Sequence, residues 1–242
     1  MEQMQWRATP RELDMTRARA ELAASTVFMA RVFNWMMIGL GVTALVALGM
    51  QATGLVYLVA GTPLYLVLAL AELGLVFYLA ARVSQLAPGT ATWLFVAYSA
   101  LNGVTLSAIL LRYSGASIAS TFFITAGMFG AMALYGMVTK RELTGVGSFM
   151  FMDLIGILIA MIVNFFLKSP SLYYAISFIG VIVFVGLTAY DTQKIKEMGE
   201  QGIMDQGEAA IQKTAIMGAL SLYLDFINLF IMLLRLFGGS RD

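Results

Sequence analysis

The chain contains no cysteine and no histidine among its 242 residues. That removes the Ser-His-Asp and Cys-His nucleophiles, iron–sulfur clusters, His-ligated haem and the ordinary zinc sites. Disulfides are excluded, so cysteine usage gives no sign of a redox compartment. Without histidine, any response to pH near neutrality must come from carboxylates. Charge is scarce as well. Charged residues make up 12% of the chain, where a soluble domain carries roughly 25%. Net charge is +1, and no basic face exists to neutralise the phosphates of a nucleic acid.

What remains is 60% hydrophobic, more apolar surface than a soluble globule of this size could bury. The charges cluster: nine lie in residues 1–31 and eight in 191–213, leaving 12 for the other 188 positions. A transmembrane helix needs about 20 mostly apolar residues. Seven segments qualify: 33–52, 62–81, 90–111, 116–138, 147–167, 172–192 and 214–235. Pro63, Pro88 and Pro170 sit at or just before segment starts, where a missing N–H costs nothing. The expected class is an all-α membrane protein, a seven-transmembrane bundle over residues 32–237. Residues 1–31 read as a polar, partly helical cytoplasmic tail without the apolar core of a signal peptide, and 238–242 as a short C-terminal tail. The stretch 193–213 reads as a solvated loop.

Lys and Arg outside the spans set the orientation. With the N-terminus inside, 11 fall on the cytoplasmic side and four (Arg112, Lys168, Arg235, Arg241) on the other. Small residues on the fourth segment, Ala126, Gly127, Gly130, Ala133 and Gly136, read as close helix packing.

An ionised group deep in a bilayer costs at least ~2.5 kcal/mol, so each one needs a reason. Four acids raise the question: Glu72, Asp153, Asp191 and Asp225. Asp225 stands near the middle of IMGALSLYLDFINLFIMLL, and Asn228 shares its face one turn later. A polar stripe there places the seventh segment in the centre of the bundle. Asp191, ending VIVFVGLTAYD, lies roughly 5 Å inside the cytoplasmic rim, so contact with the deeper Asp225 needs an axial shift or a tilt. Arg82 ends LAELGLVFYLAAR at the depth of Asp191 and is the natural cation for it. Glu72 lies about 15 Å deeper than Arg82. Asp153 reads as an acid near a helix start, favoured by the helix dipole. Two carboxylates buried together share a proton and titrate as one unit; doubly ionised, their oxygens suit calcium.

The stretches AYDTQKIK (189–196), GALSLYLDFINLFIMLLR (218–235), ELGLVFYLAARV (72–83) and TAGMFGAMALYGMVTKREL (125–143) resemble the Bax inhibitor-1, or transmembrane Bax inhibitor motif, family, as a bacterial inner-membrane member. The resemblance implies seven helices with the last enclosed by the other six. It implies that Asp191 and Asp225 are a pH-sensing pair and calcium ligands, that Arg82 latches them and that Glu72 is a pore acid. The activity it implies is a pH-sensitive calcium or cation leak, with no enzyme chemistry and no cofactor. Eukaryotic relatives are associated with suppression of cell death, and some bacterial ones with a membrane-bound ATP-dependent protease. The competing function is a non-transporting regulator that binds such a partner. An intramembrane aspartyl protease fits worse, because Asp225 follows Leu222-Tyr223-Leu224 rather than Gly-x-Gly. A retinal protein fails for want of a lysine in 214–235.

Overall fold

The computed structural model describes residues 10–239, and among these the regular structure is helical. The order is α1 (Pro10–Ala52), a short α2 (Val56–Val59), α3 (Pro63–Arg82), α4 (Pro88–Leu110), α5 (Gly115–Val138), α6 (Thr144–Leu167), α7 (Pro170–Glu200) and α8 (Glu208–Phe237). All but α2 contain a stretch long and apolar enough to cross a membrane. These are the seven spans expected from the sequence.

Local chemistry sets the boundaries. Proline opens α3, α4 and α7, and Ser114 and Ser169 cap α5 and α7 by accepting from the amides of Ser117 and Leu172. At the end of α6, Lys168 adopts a left-handed φ of 51°, unusual for a residue with a Cβ. The side-chain oxygen of Asn164 accepts from the Ser169 amide at 2.9 Å and holds that turn.

α8 occupies the centre. Its most apolar 18-residue window is 72% buried, against 6% for α3 and for α6. It packs on α1, α4, α5 and α7. Tyr223 is fully buried there, edge-on to Phe95 and Tyr98, with its hydroxyl 2.7 Å from Thr43 Oγ1. That polar tip finds its partner inside the bundle, as a buried tyrosine must.

Two segments are more ordered than their polarity suggests. α1 has no break at residue 32. Ser25, Phe28 and Met29 are buried, the Ser25 hydroxyl donates to the Lys196 carbonyl at 3.1 Å, and Arg31 pairs with Glu208. In the stretch 193–213, α7 runs on to Glu200 and α8 starts at Glu208, with Ile195, Ile203 and Ile211 in the core. Isoleucines at eight-residue spacing give these polar extensions a buried stripe, so they prolong the bundle beyond the apolar spans. The first nine residues of the chain lie outside the described part.

The small residues of α5 do not all act alike. A Cβ at Gly136 would collide with the Ala189 carbonyl, so α5 and α7 touch backbone to backbone there. Gly127 and Gly130 have open space before them.

Candidate functional site

α3, α4, α6, α7 and α8 enclose a cavity of about 870 Å³. On α8 it runs from Ser221 to Arg235. Fourteen residues at 1.5 Å each span about 21 Å, most of a hydrocarbon core of about 30 Å. Lys194 lines one end and Arg235 the other.

Glu72, Asp191, Asp225 and Asn228 all line this cavity, so four side chains singled out from the sequence meet in one space. Asp225 is 4% exposed, and its Oδ2 has no hydrogen-bond partner among the described residues. Asp191 lines the same space from α7, which packs along α8. The antiparallel packing of α7 on α8 supplies the approach that depth along each helix left open. Glu72 accepts a hydrogen bond of 2.6 Å from Thr105 Oγ1 on α4. The Asn228 amide donates to the Leu224 carbonyl one turn earlier, at 2.8 Å.

Arg82 is placed elsewhere. It is exposed at the end of α3, where the backbone enters a 3-10 turn over Val83–Gln85, and it donates to Gln85 Oε1 at 2.8 Å. It does not line the cavity or make an ion pair here. The basic residue that lines the cavity beside Asp191 is Lys194, three residues further along α7, exposed and 5.7 Å from the ring centre of Tyr190. Tyr190 in turn lies against α6 where Gly147 leaves room; a Cβ at Gly147 would fall on its ring.

Asp153 stands apart too. It lies on α6, nine residues after Thr144, and does not line the cavity. The first turn of α6 holds no acid, so the helix dipole, which acts over about one turn, does not account for Asp153.

Residues unremarked in the sequence complete the site. Tyr98, Asn102 and Thr105 bring polar groups from α4. At the far end the Arg235 guanidinium sits 5.1 Å from the ring centre of Tyr173, and its buried Nε has no partner. Beside it, in the turn between α4 and α5, burial pushes the Tyr113 hydroxyl up to about 12, with Tyr173 reinforcing the shift and Arg235 and Arg112 opposing it. That hydroxyl stays protonated. A signal for Arg235 was present in the sequence: it is the lone cation of the apolar run 214–235, at its end, although its placement there suggests only an outer cation.

Chemically, the cavity is an acid-lined chamber with cationic ends. Among the described residues no three carboxylates converge as a metal cluster would require.

Known proteins with similar sequences agree with this architecture. Residues 25–242 match the Bax1-I family, described as Inhibitor of apoptosis-promoting Bax1. The chain is 52% identical to the inner membrane protein YbhL of Escherichia coli K12 over 96% of its own length and 98% of that protein's. It is 47% identical to an uncharacterized protein of Deinococcus radiodurans, covering 89% of this chain and 91% of the other. With an uncharacterized membrane protein of Streptococcus pyogenes serotype M1 the identity is 38%, over 88% and 93%. A match across nearly the whole chain, on a bundle with seven spans and an enclosed last helix, makes this protein a multi-pass membrane member of the Bax inhibitor-1 family.

Proposed function

We propose that the protein is a pH-sensitive cation leak channel, with calcium as its cargo, in the bacterial inner membrane. The observation that supports this best is the cavity itself: Glu72, Asp191 and Asp225 share an interior that extends along most of the buried length of α8. Acids at this depth are costly facing lipid, and a shared interior of this length gives them the water-filled surroundings that ion pathways have. Asp191 and Asp225 sense pH, Lys194 is the cation that holds the ionised pair, and Glu72 lies further along the path. Arg82, exposed at the end of α3, would join the latch only after that end turns inward. The inner-membrane location rests on the name of the E. coli relative.

Purified protein in liposomes should pass calcium faster than protein-free vesicles. A bundle that acts only by binding another membrane protein, such as a protease, should pass none, and that outcome would replace the channel reading.

The N-terminus is on the cytoplasmic side in this reading, because Lys and Arg crowd the ends of the helices that would lie there. Reporter fusions after Lys140 and after Lys168 should report opposite faces, the first cytoplasmic. Both on one face would break the seven-span topology.

A further inference from the structure

The walls of the cavity are not continuous. α3 packs on α4 and α6 packs on α7, while no extended packing joins α3 to α6. Yet both helices line the cavity. Leu73 on α3 and Phe151 and Leu158 on α6 do so while remaining 46%, 59% and 42% exposed. A side chain that belongs to the cavity and to the outer surface marks where one opens into the other. That outer surface is the lipid-facing side of the two least buried helices. The cavity therefore opens sideways, through a slot with apolar lips, into the hydrocarbon of the bilayer.

The cavity behind the slot is lined by Asp225, 4% exposed and with Oδ2 unpartnered among the described residues. Of the other two acids, Glu72 is engaged by Thr105 and Asp191 lies on α7 three residues before Lys194, while the cations Lys194 and Arg235 stand at the two ends. A ligand that enters through an apolar slot must be apolar along most of its length. One that stops at a buried carboxyl group whose Oδ2 has no partner among the described residues is held best if it ends in a cation that donates hydrogen bonds. A neutral headgroup can make only the weaker uncharged hydrogen bond to Asp225, and an anionic one is repelled.

We propose that the slot between α3 and α6 admits a single-chain amphiphile with a terminal ammonium group, seated with the ammonium on Asp225 and the chain between Leu73 and Leu154. This rests on the reading of the carboxylates as a cation-binding set, and it adds an organic cation that reaches them from lipid rather than from water. Such an occupant competes with calcium for Asp225 and blocks the path.

The test uses the full-length protein in phosphatidylcholine nanodiscs and dodecylamine carrying a mid-chain diazirine. After photolysis, mass spectrometry should place the label on Leu73, Phe151, Leu154 or Leu158. Excess plain dodecylamine should reduce that label at least about tenfold, as should Asp225→Asn, since truncating one partner of a buried charge pair is costly. Dodecanol should not compete. Leu154→Trp, which fills the slot and leaves every carboxylate in place, should remove the label even if Asp225→Asn disturbs folding. Equal competition by dodecanol, or a label spread over the outer faces and indifferent to both substitutions, would overturn the proposal. Calcium flux on the same preparation separates the two readings. Flux without slot labelling defeats the amphiphile site alone; slot labelling without flux defeats the channel alone.

Discussion

Asp191→Asn and Asp225→Asn are each expected to flatten the pH dependence of calcium leak in liposomes measured from about pH 5 to 8. In the proposed gate the ionised pair attracts Lys194, which lines the same cavity three residues along α7 from Asp191. Protonation removes that attraction, so the closed mouth is favoured at higher pH and lost as pH falls through the titration of the pair. A bound calcium ion needs ionised carboxylates, so acid weakens occupancy while it widens the path. Leak therefore peaks at an intermediate pH in the native protein. In either variant one of the two interacting groups no longer titrates, and a response of about tenfold across the range should fall below about twofold, each lost pK unit of linkage being worth a factor of ten. Lys194→Ala should raise the leak at neutral pH more than Arg82→Ala does, because Lys194 lines the cavity whereas Arg82 lies outside it and is tied to Gln85. Unchanged profiles in both aspartate variants would remove the gate from the account.

Gly147→Ala is expected to act on the same mouth from the opposite helix. The new methyl would fall on the ring of Tyr190, next to Asp191 in the chain. Overpacking of this kind costs about 1–3 kcal/mol when a bulky neighbour must move. Unfolding by titration with sodium dodecyl sulfate should show that loss. Leak at neutral pH should change with it, since Tyr190 and Asp191 line the cavity side by side. Gly127→Ala is the matched control: nothing stands within 4 Å of its Cβ, and both readouts should stay near native. Since alanine is the better helix former at both positions, equal losses at the two glycines would mean that the contact with Tyr190 does not set the cost.

The central position of α8 and the meeting of Asp191 with Asp225 were legible in the sequence for one reason. Carboxylates surrounded by apolar residues leave few places to go, and depth along a helix follows from a fixed rise per residue. Direction around the axis is harder. Arg82 has the right depth for Asp191, but the helix ends at that residue, with φ −118° and ψ −5°, and a glutamine three positions on takes the guanidinium. Lys194 was readable by spacing, since residues three apart share a helix face. The extensions of α1, α7 and α8 were hidden because their charges mask a sparse buried stripe, in which Ile195, Ile203 and Ile211 carry the packing. The slot between α3 and α6 could not be read at all: it depends on which helices fail to pack, and composition does not distinguish a lipid-facing leucine from one at the lip of a cavity.

The absence of natural cysteine permits the most direct measurement of the central claim, that ions pass through the acid-lined cavity. Asn228→Cys places one thiol on the cavity wall, and Phe165→Cys places one on the outer face of α6, where Phe165 is 65% exposed. Each variant is reconstituted in liposomes and treated with a cationic methanethiosulfonate, and calcium flux is recorded before and after. The account predicts that the reagent abolishes most of the flux through Asn228→Cys and leaves that through Phe165→Cys unchanged. Flux that survives modification at Asn228→Cys, with the thiol shown to have reacted, would contradict it.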